Sequence, residues 1–440
     1  MIEIACIGGY NEVGKNMTAV KVDDEVVILD IGLYIPAILG FEEEQNYMSS
    51  EELIKIGAIP DDNLIKDWHD NIKSVILGHC HLDHLGGAPY LCEKYNAPII
   101  GTPYTIEVLK RIIKDKGLKS RNKFISIKPG KRFQISKNIK CELINVTHST
   151  LQTVIVVLFT KYGNVIYAND FKLDKSPVLG KETNYERLKD LDNVKVLIMD
   201  ALYSGTKTKT PSENVAREML KEILLNDNTK GKAIIVTTFS SHIARLKSIM
   251  DFAKKINRKV VLLGRSMGRY FGAADSLNLI EYTKNVELVE YPRQIAKKLK
   301  EIEKNGRSKY LIVCTGHQGE PKSVLAKILN KEYSFEFLPE DIVVFSSNII
   351  PNEISIKNRK LMEDKLEGHK VKIFKGIHQS GHLSGEDMID FIKMIKPEHI
   401  IPCQGDKTKL TGLCEIAKEI GYKEGKTVHV LNDGDRLTIK

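Results

Sequence analysis

Long apolar runs are missing from this sequence. The longest, Val154–Phe159, is six residues, against the roughly 20 that a membrane-spanning helix requires. The opening segment, MIEIACIGGYNEVGKNM, has no basic start followed by an apolar stretch, so a secretory signal is not expected and a cytoplasmic location is. Cysteine is sparse: seven in 440 residues, an odd number, with no CxxC pair. That argues against a disulfide framework and for a reducing compartment. Tryptophan occurs once, at Trp68, and is expected to pack rather than to stack on bases. No internal repeat or low-complexity tract stands out. What is present is an ordinary globular composition, 42% apolar and 28% charged, which excludes wholesale disorder. The formal charge of +9 suits an anionic partner such as a nucleic acid, and equally suits a solvated lysine-rich surface.

At about 150 residues per domain, the length points to two or three domains. Residues 1–205 read as short β-runs joined by turns: Ile2–Ile7, Ala19–Val22, Val26–Asp30, Val75–Leu77, Cys141–Thr147, Thr153–Thr160, Asn164–Ala168 and Val194–Met199. Residues 206–355 change style, with helix-like stretches such as Ile243–Ile256 alternating with short buried-type strands. That alternation argues for a doubly wound parallel sheet. The polar segments GRSMGR, TGHQGEP and SSNIIPNE follow those strands, where such sheets gather ligands. Residues 356–440 return to the first style, with a helix at Gly385–Ile395 and a closing hairpin of Val428–Leu431 with Arg436–Ile439. A discontinuous first domain, 1–205 with 356–440, therefore carries residues 206–355 as an insertion. The polar, acidic connection Phe41–Asp62 has no assignment.

The most informative segment is Gly78-His79-Cys80-His81-Leu82-Asp83-His84-Leu85-Gly86-Gly87. In an extended loop His79 and His81 project to one side. Asp83 and His84 then face elsewhere as the chain turns. The pattern suits two neighbouring cations, and imidazole with carboxylate suits zinc. Two more ligands are expected from strand ends, His148 after one β-run and Asp170 after another. A carboxylate placed between the two groups can bridge two metals about 3.5–4 Å apart.

HCHLDHLGG resembles the signature of the metallo-β-lactamase fold, and Asp30 in ILDIG resembles its first motif, which orients the histidine loop. His148 and Asp170 resemble the third and fourth. The insertion resembles the β-CASP domain, with Asp200 in MDA and His382 in SGH matching motifs of that branch. GGYNEVGKNM, TGHQGEP, SSNIIPNE and SGHLSGED resemble segments of the ribonuclease J family, in its archaeal form, over nearly the whole chain. The resemblance implies an αββα sandwich with an inserted α/β domain, two zinc ions per chain, and single-stranded RNA as partner. It further implies 5′-3′ exonuclease action on 5′-monophosphate ends, and a homodimer. Asp83, Asp200 and His382 are its implied catalytic residues, His382 protonating the leaving 3′-oxygen. Ser346, Ser347, Gly381, His382, Ser384, Arg265 and Arg269 are expected substrate contacts, the arginines because their forked donors match phosphate oxygens. One position departs: the family's Pro-x-His-Gly histidine, which completes the second metal site, is Gln404 in Ile401-Pro402-Cys403-Gln404-Gly405. A glutamine carbonyl is a poor zinc ligand. A weakly held second cation, none, a harder ion and an engineered substitution all stay open.

One near-match is set aside. Gly9-(x4)-Gly14-Lys15-Asn16 approaches the phosphate-cradling P-loop, but Asn16 lacks the magnesium-binding hydroxyl and the next stretch alternates like a strand. Three other functions stay open: a β-CASP RNA endonuclease, a small-molecule hydrolase, which the long insertion disfavours, and an RNA-binding protein impaired in catalysis by Gln404.

Overall fold

The computed structural model describes residues 1–38, 48–281, 284–350 and 353–440. Part of the Phe41–Asp62 connection, and Pro351-Asn352 of SSNIIPNE, lie outside them. Runs of Val, Ile and Leu form the strands, as residues branched at Cβ fit a pleated surface. In chain order these are β1 (Ile2–Gly8), β2 (Met17–Val22), β3 (Glu25–Leu29), β4 (Ile72–Leu77), β5 (Ile99–Gly101) and β6 (Phe124–Ser126). Next come β7 (Arg132–Gln134), β8 (Lys140–Asn145), β9 (Val154–Thr160), β10 (Gly163–Ala168) and β11 (Val194–Asp200). Then follow β12 (Ile234–Thr237), β13 (Lys259–Leu263), β14 (Val286–Val289), β15 (Tyr310–Cys314), β16 (Ile342–Phe345) and β17 (Lys372–Phe374). The last two are β18 (His399–Cys403) and β19 (Arg436–Ile439).

The chain divides into two compact units, the first comprising Met1–Lys175, Lys181–Thr210 and Gly381–Lys440. It holds one sheet in the order β19-β1-β2-β3-β4-β5-β6 and another in the order β18-β11-β10-β9-β8-β7. Ile4, Val20 and Leu29 of one sheet share a buried core with Leu143, Val157, Ile166 and Ile198 of the other. Helices such as Pro103–Asp115 and Gly385–Ile395 turn buried faces to this pair. The result is an αββα sandwich. Residues 428–431 form no closing hairpin with β19. Val428 makes only isolated bridges to Ile400 and Glu424, while β19 pairs antiparallel with β1.

The second unit comprises Ser176–Gly180 and Pro211–Ser380. Its strands are all parallel, in the order β14-β13-β15-β12-β16-β17. Helices Glu213–Leu224, Ile243–Lys255, Arg265–Ser276, Pro292–Asn305 and Glu353–Gly368 connect and flank them. This is the doubly wound insertion. It extends past residue 355 to Ser380 because β17 hydrogen-bonds to β16. A three-residue edge strand carries too little pattern to reveal which sheet it joins.

Candidate metal centre

The histidine loop begins where β4 ends. Gly78 N donates to Asp30 Oδ1 at 2.8 Å, and Gly78 O accepts from Val154 N at 3.1 Å, so the strand end is pinned on both sides. His81 is the cap of a short helical turn, Leu82–Leu85. That turn carries Asp83 and His84, and the His84 ring still packs against His79, centroids 4.1 Å apart. His148 and Asp170 arrive from the ends of β8 and β10, in the same unit.

Three groups of ligand atoms share Asp170: His79, His81, His148 with Asp170; Asp83, His84 with Asp170; and Asp200, His382 with Asp170. In the first group His79 Nε2 and His148 Nε2 each lie 3.1 Å from His81 Nδ1. Asp170 Oδ2 is 3.6 Å from His79 Nε2 and 3.7 Å from His148 Nε2. A tetrahedral ion with bonds of about 2.0–2.1 Å sets its ligand atoms roughly 3.3–3.4 Å apart; the residues fit such an ion. The lone pairs are aimed as well. Gly381 O accepts from His148 Nδ1 at 2.7 Å. A carbonyl cannot donate, so the proton sits on Nδ1 and Nε2 is free to ligate. Ser149 Oγ lies 3.3 Å from His81 Nε2, leaving His81 Nδ1 to face the group. Burial pushes His79 and His148 well below the ordinary imidazole value and His81 down to about 4. Neutral imidazoles are the form that binds a cation.

The second group is organised by Asp30. Its Oδ2 accepts from His84 Nδ1 at 2.7 Å and from the Tyr167 hydroxyl at 2.9 Å, turning His84 Nε2 toward Asp83 Oδ2, 3.4 Å away, and Asp170 Oδ2, 3.2 Å away. Burial opposes charge on His84, but Asp170, Asp83 and Asp30 outweigh it and hold His84 well above the ordinary value. Gln404 stands among these residues. Its Nε2 is 2.8 Å from Asp83 Oδ2, 3.3 Å from Asp170 Oδ1 and 3.3 Å from His84 Nε2.

Beside Asp170 lies a further pair. His382 Nδ1 is 2.7 Å from Asp200 Oδ2, and His382 Nε2 is 3.8 Å from Asp170 Oδ2. Burial disfavours the imidazolium, yet Asp170 and Asp200 outweigh it and raise His382 to about 9.

The expected substrate contacts separate. Gly381 and Ser384 lie in the first unit with the metal ligands. Ser384 caps the helix Gly385–Ile395, its hydroxyl donating to the Thr208 carbonyl and lying 3.3 Å from Asp387 Oδ2. Ser346, Ser347, Arg265 and Arg269 belong to the second unit. The Ser346 hydroxyl accepts from Arg245 Nη1 at 2.7 Å and donates to Ile377 O at 2.9 Å. The Ser347 hydroxyl is buried without a hydrogen-bond partner among the described residues. Arg265 is exposed and Arg269 half-buried in the first turns of the helix after β13. Sequence reading missed Gly14, Asn16, Ser149 and Tyr167. The GGYNEVGKNM segment was the available signal: set aside as a phosphate loop, it brings Gly14 N and Asn16 Nδ2 to 3.1 and 2.7 Å from Gln404 Oε1.

Known proteins resemble this chain over its whole length. A family model of the beta-lactamase superfamily domain matches residues 60–222. One of the ribonuclease J beta-CASP domain matches residues 231–362. One of the Zn-dependent metallo-hydrolase RNA specificity domain matches residues 370–431. The ribonuclease J of Methanocaldococcus jannaschii is 43% identical over 443 residues, spanning 100% of this chain and 99% of that protein. This chain belongs to the ribonuclease J family. Within that family, the Pyrococcus abyssi ribonuclease J is 41% identical over 444 residues, covering 100% of this chain and 97% of that one. The Synechocystis ribonuclease J is 28% identical, with 100% and 66% covered. A solved Enterococcus faecalis protein of unknown function superposes with a TM-score of 0.68 at 16% identity, covering 100% of both chains, and shows the shared fold. Membership of the metallo-β-lactamase superfamily implies metal ions, and the His/Asp groups above are where this chain can hold them. No helix among the described residues is long and apolar enough to cross a membrane.

Proposed function

We propose that this chain is a zinc-dependent ribonuclease that hydrolyses RNA phosphodiester bonds in RNA processing and decay, working mainly 5′ to 3′ from 5′-monophosphate ends. The observation that carries the reading is the convergence of His79, His81, His148 and Asp170 at tetrahedral spacing beside the His382–Asp200 pair, in a chain of the ribonuclease J family.

His79, His81, His148 and Asp170 would hold the ion. A bound zinc ion supplies Lewis acidity, making water a nucleophile near neutral pH and offsetting charge on phosphate oxygens. The chain's own residues do the rest. Asp83 is the more exposed carboxylate of the cluster, its side chain 24% accessible against 2% for Asp170, and is placed to take the proton that the attacking water gives up. As the water oxygen bonds to phosphorus, the bond from phosphorus to the 3′-oxygen breaks. His382 Nε2 gives its proton to that oxygen, in line with general-acid catalysis. Asp200 is a positioning residue: its hold on Nδ1 fixes the ring and keeps it charged.

The direction and end preference are inferred from family likeness. The test is RNA labelled on its first nucleotide, bearing either a 5′-monophosphate or a 5′-hydroxyl. Labelled mononucleotide should be the first product, faster from the monophosphate. Internal fragments alone would show an endonuclease instead.

A further inference from the structure

Gln404 follows β18 with a left-handed backbone, φ 60°, and is 1% exposed. The surroundings fix which way its carboxamide faces. Oε1 accepts from Gly14 N at 3.1 Å and from Asn16 Nδ2 at 2.7 Å. A backbone N–H can only donate, so the oxygen belongs on that side. Flipping the amide would set its N–H groups against Gly14 N–H and its oxygen against the carboxylates. The nitrogen therefore faces Asp83 Oδ2, Asp170 Oδ1 and His84 Nε2, all 2.8 to 3.3 Å away.

Those three residues are the second ligand group. A carboxamide nitrogen carries two hydrogens and does not ligate. The oxygen, glutamine's one ligand atom, is turned away and engaged. The geometry points to a single-ion centre in this chain: one cation held by His79, His81, His148 and Asp170, with the Gln404 carboxamide in the place of a second. Its N–H groups occupy the carboxylate oxygens that a second cation would bridge. Gly14 and Asn16, in the segment after β1, are the residues that hold it there. The inference rests on the metal-dependent reading above but not on the substrate.

The test counts ions. Native chain, Gln404→His and Gln404→Ala are each saturated with zinc, freed of excess by gel filtration, and assayed by mass spectrometry for zinc per chain. Native protein should hold one zinc and Gln404→His two. In titration calorimetry, Gln404→Ala, which removes the plug without adding a ligand, should gain a second, weaker zinc-binding step that the native chain lacks. Circular dichroism checks that each variant folds. Two tightly held zinc ions in the native chain overturn the inference. So does a folded Gln404→Ala with no second step. One zinc without RNA cleavage supports the single-ion centre while sinking the ribonuclease reading, so the two fail separately.

Discussion

Gly381 sets the precision of the metal ligands at the residue scale. A Cβ added there would lie 2.7 Å from His148 Nδ1 and 2.8 Å from its Cε1, well inside van der Waals contact. The same residue's carbonyl fixes the His148 tautomer. Gly381→Ala should therefore push the ring off its site. Loss of such an outer partner costs about 10–100-fold in metal affinity. Competition against a chromophoric chelator should show zinc binding weakened by that factor, with the far-ultraviolet spectrum unchanged. Unaltered affinity would mean that the ring is not held by Gly381. Single residues also show what the sequence can reveal. His79, His81, Asp83 and His84 are legible because their ligand geometry is local, within one loop and one helical turn. The orientation of Gln404 is not, because its fixing partners, Gly14 and Asn16, are nearly the whole chain away in sequence.

Among elements, a buried ion network ties helices and strand ends of the second unit together. Arg245, on the helix Ile243–Lys255, is 0% exposed. Its Nε and Nη2 donate to the two oxygens of Glu213, on the preceding helix, at 2.6 and 2.9 Å. Its Nη1 reaches Ser346 O and Oγ at the end of β16, and Ile377 O past β17. Removing one charge would strand the other. Glu213→Gln should cost about 3–5 kcal/mol, read as a lowered denaturation midpoint. Burial pushes the Glu213 carboxyl up, but His242 and Arg245 outweigh it and hold it well below the usual range. A depressed carboxyl stabilises the fold above its unfolded value of about 4.3, and that stability is lost as the pH falls from there toward the folded value. Acid titration of the native chain should show this loss, and Glu213→Gln should lack that part of it. Equal acid sensitivity in both proteins would remove Glu213 from the account. Element pairing was only partly legible. The helices and the buried parallel strands carry strong periodicity. β17 and Val428–Leu431 do not, since what decides their pairing is a distant strand.

On the scale of the whole molecule, every expected metal ligand lies in the first unit, while the Glu213–Arg245 network lies in the second. Metal binding and the Glu213 charge should then stabilise different parts of the chain. A ligand that binds only the folded state stabilises by RT ln(1 + [L]/Kd), about 2.7 kcal/mol at a hundred times Kd. Hydrogen exchange read by mass spectrometry can localise that gain. Chelating zinc at neutral pH should speed exchange in peptides from β4, β8 and β10, whose ends carry the ligands, and leave β12 and β13 as protected as before. Lowering the pH below 4 with zinc already removed should speed exchange in β12, β16 and the helix Ile243–Lys255, where the stability that Glu213's charge contributes falls away. If chelation loosened β12 and β13 as much as β10, the metal's stabilisation would extend beyond the unit that supplies its ligands, and the division of the two levers would fail.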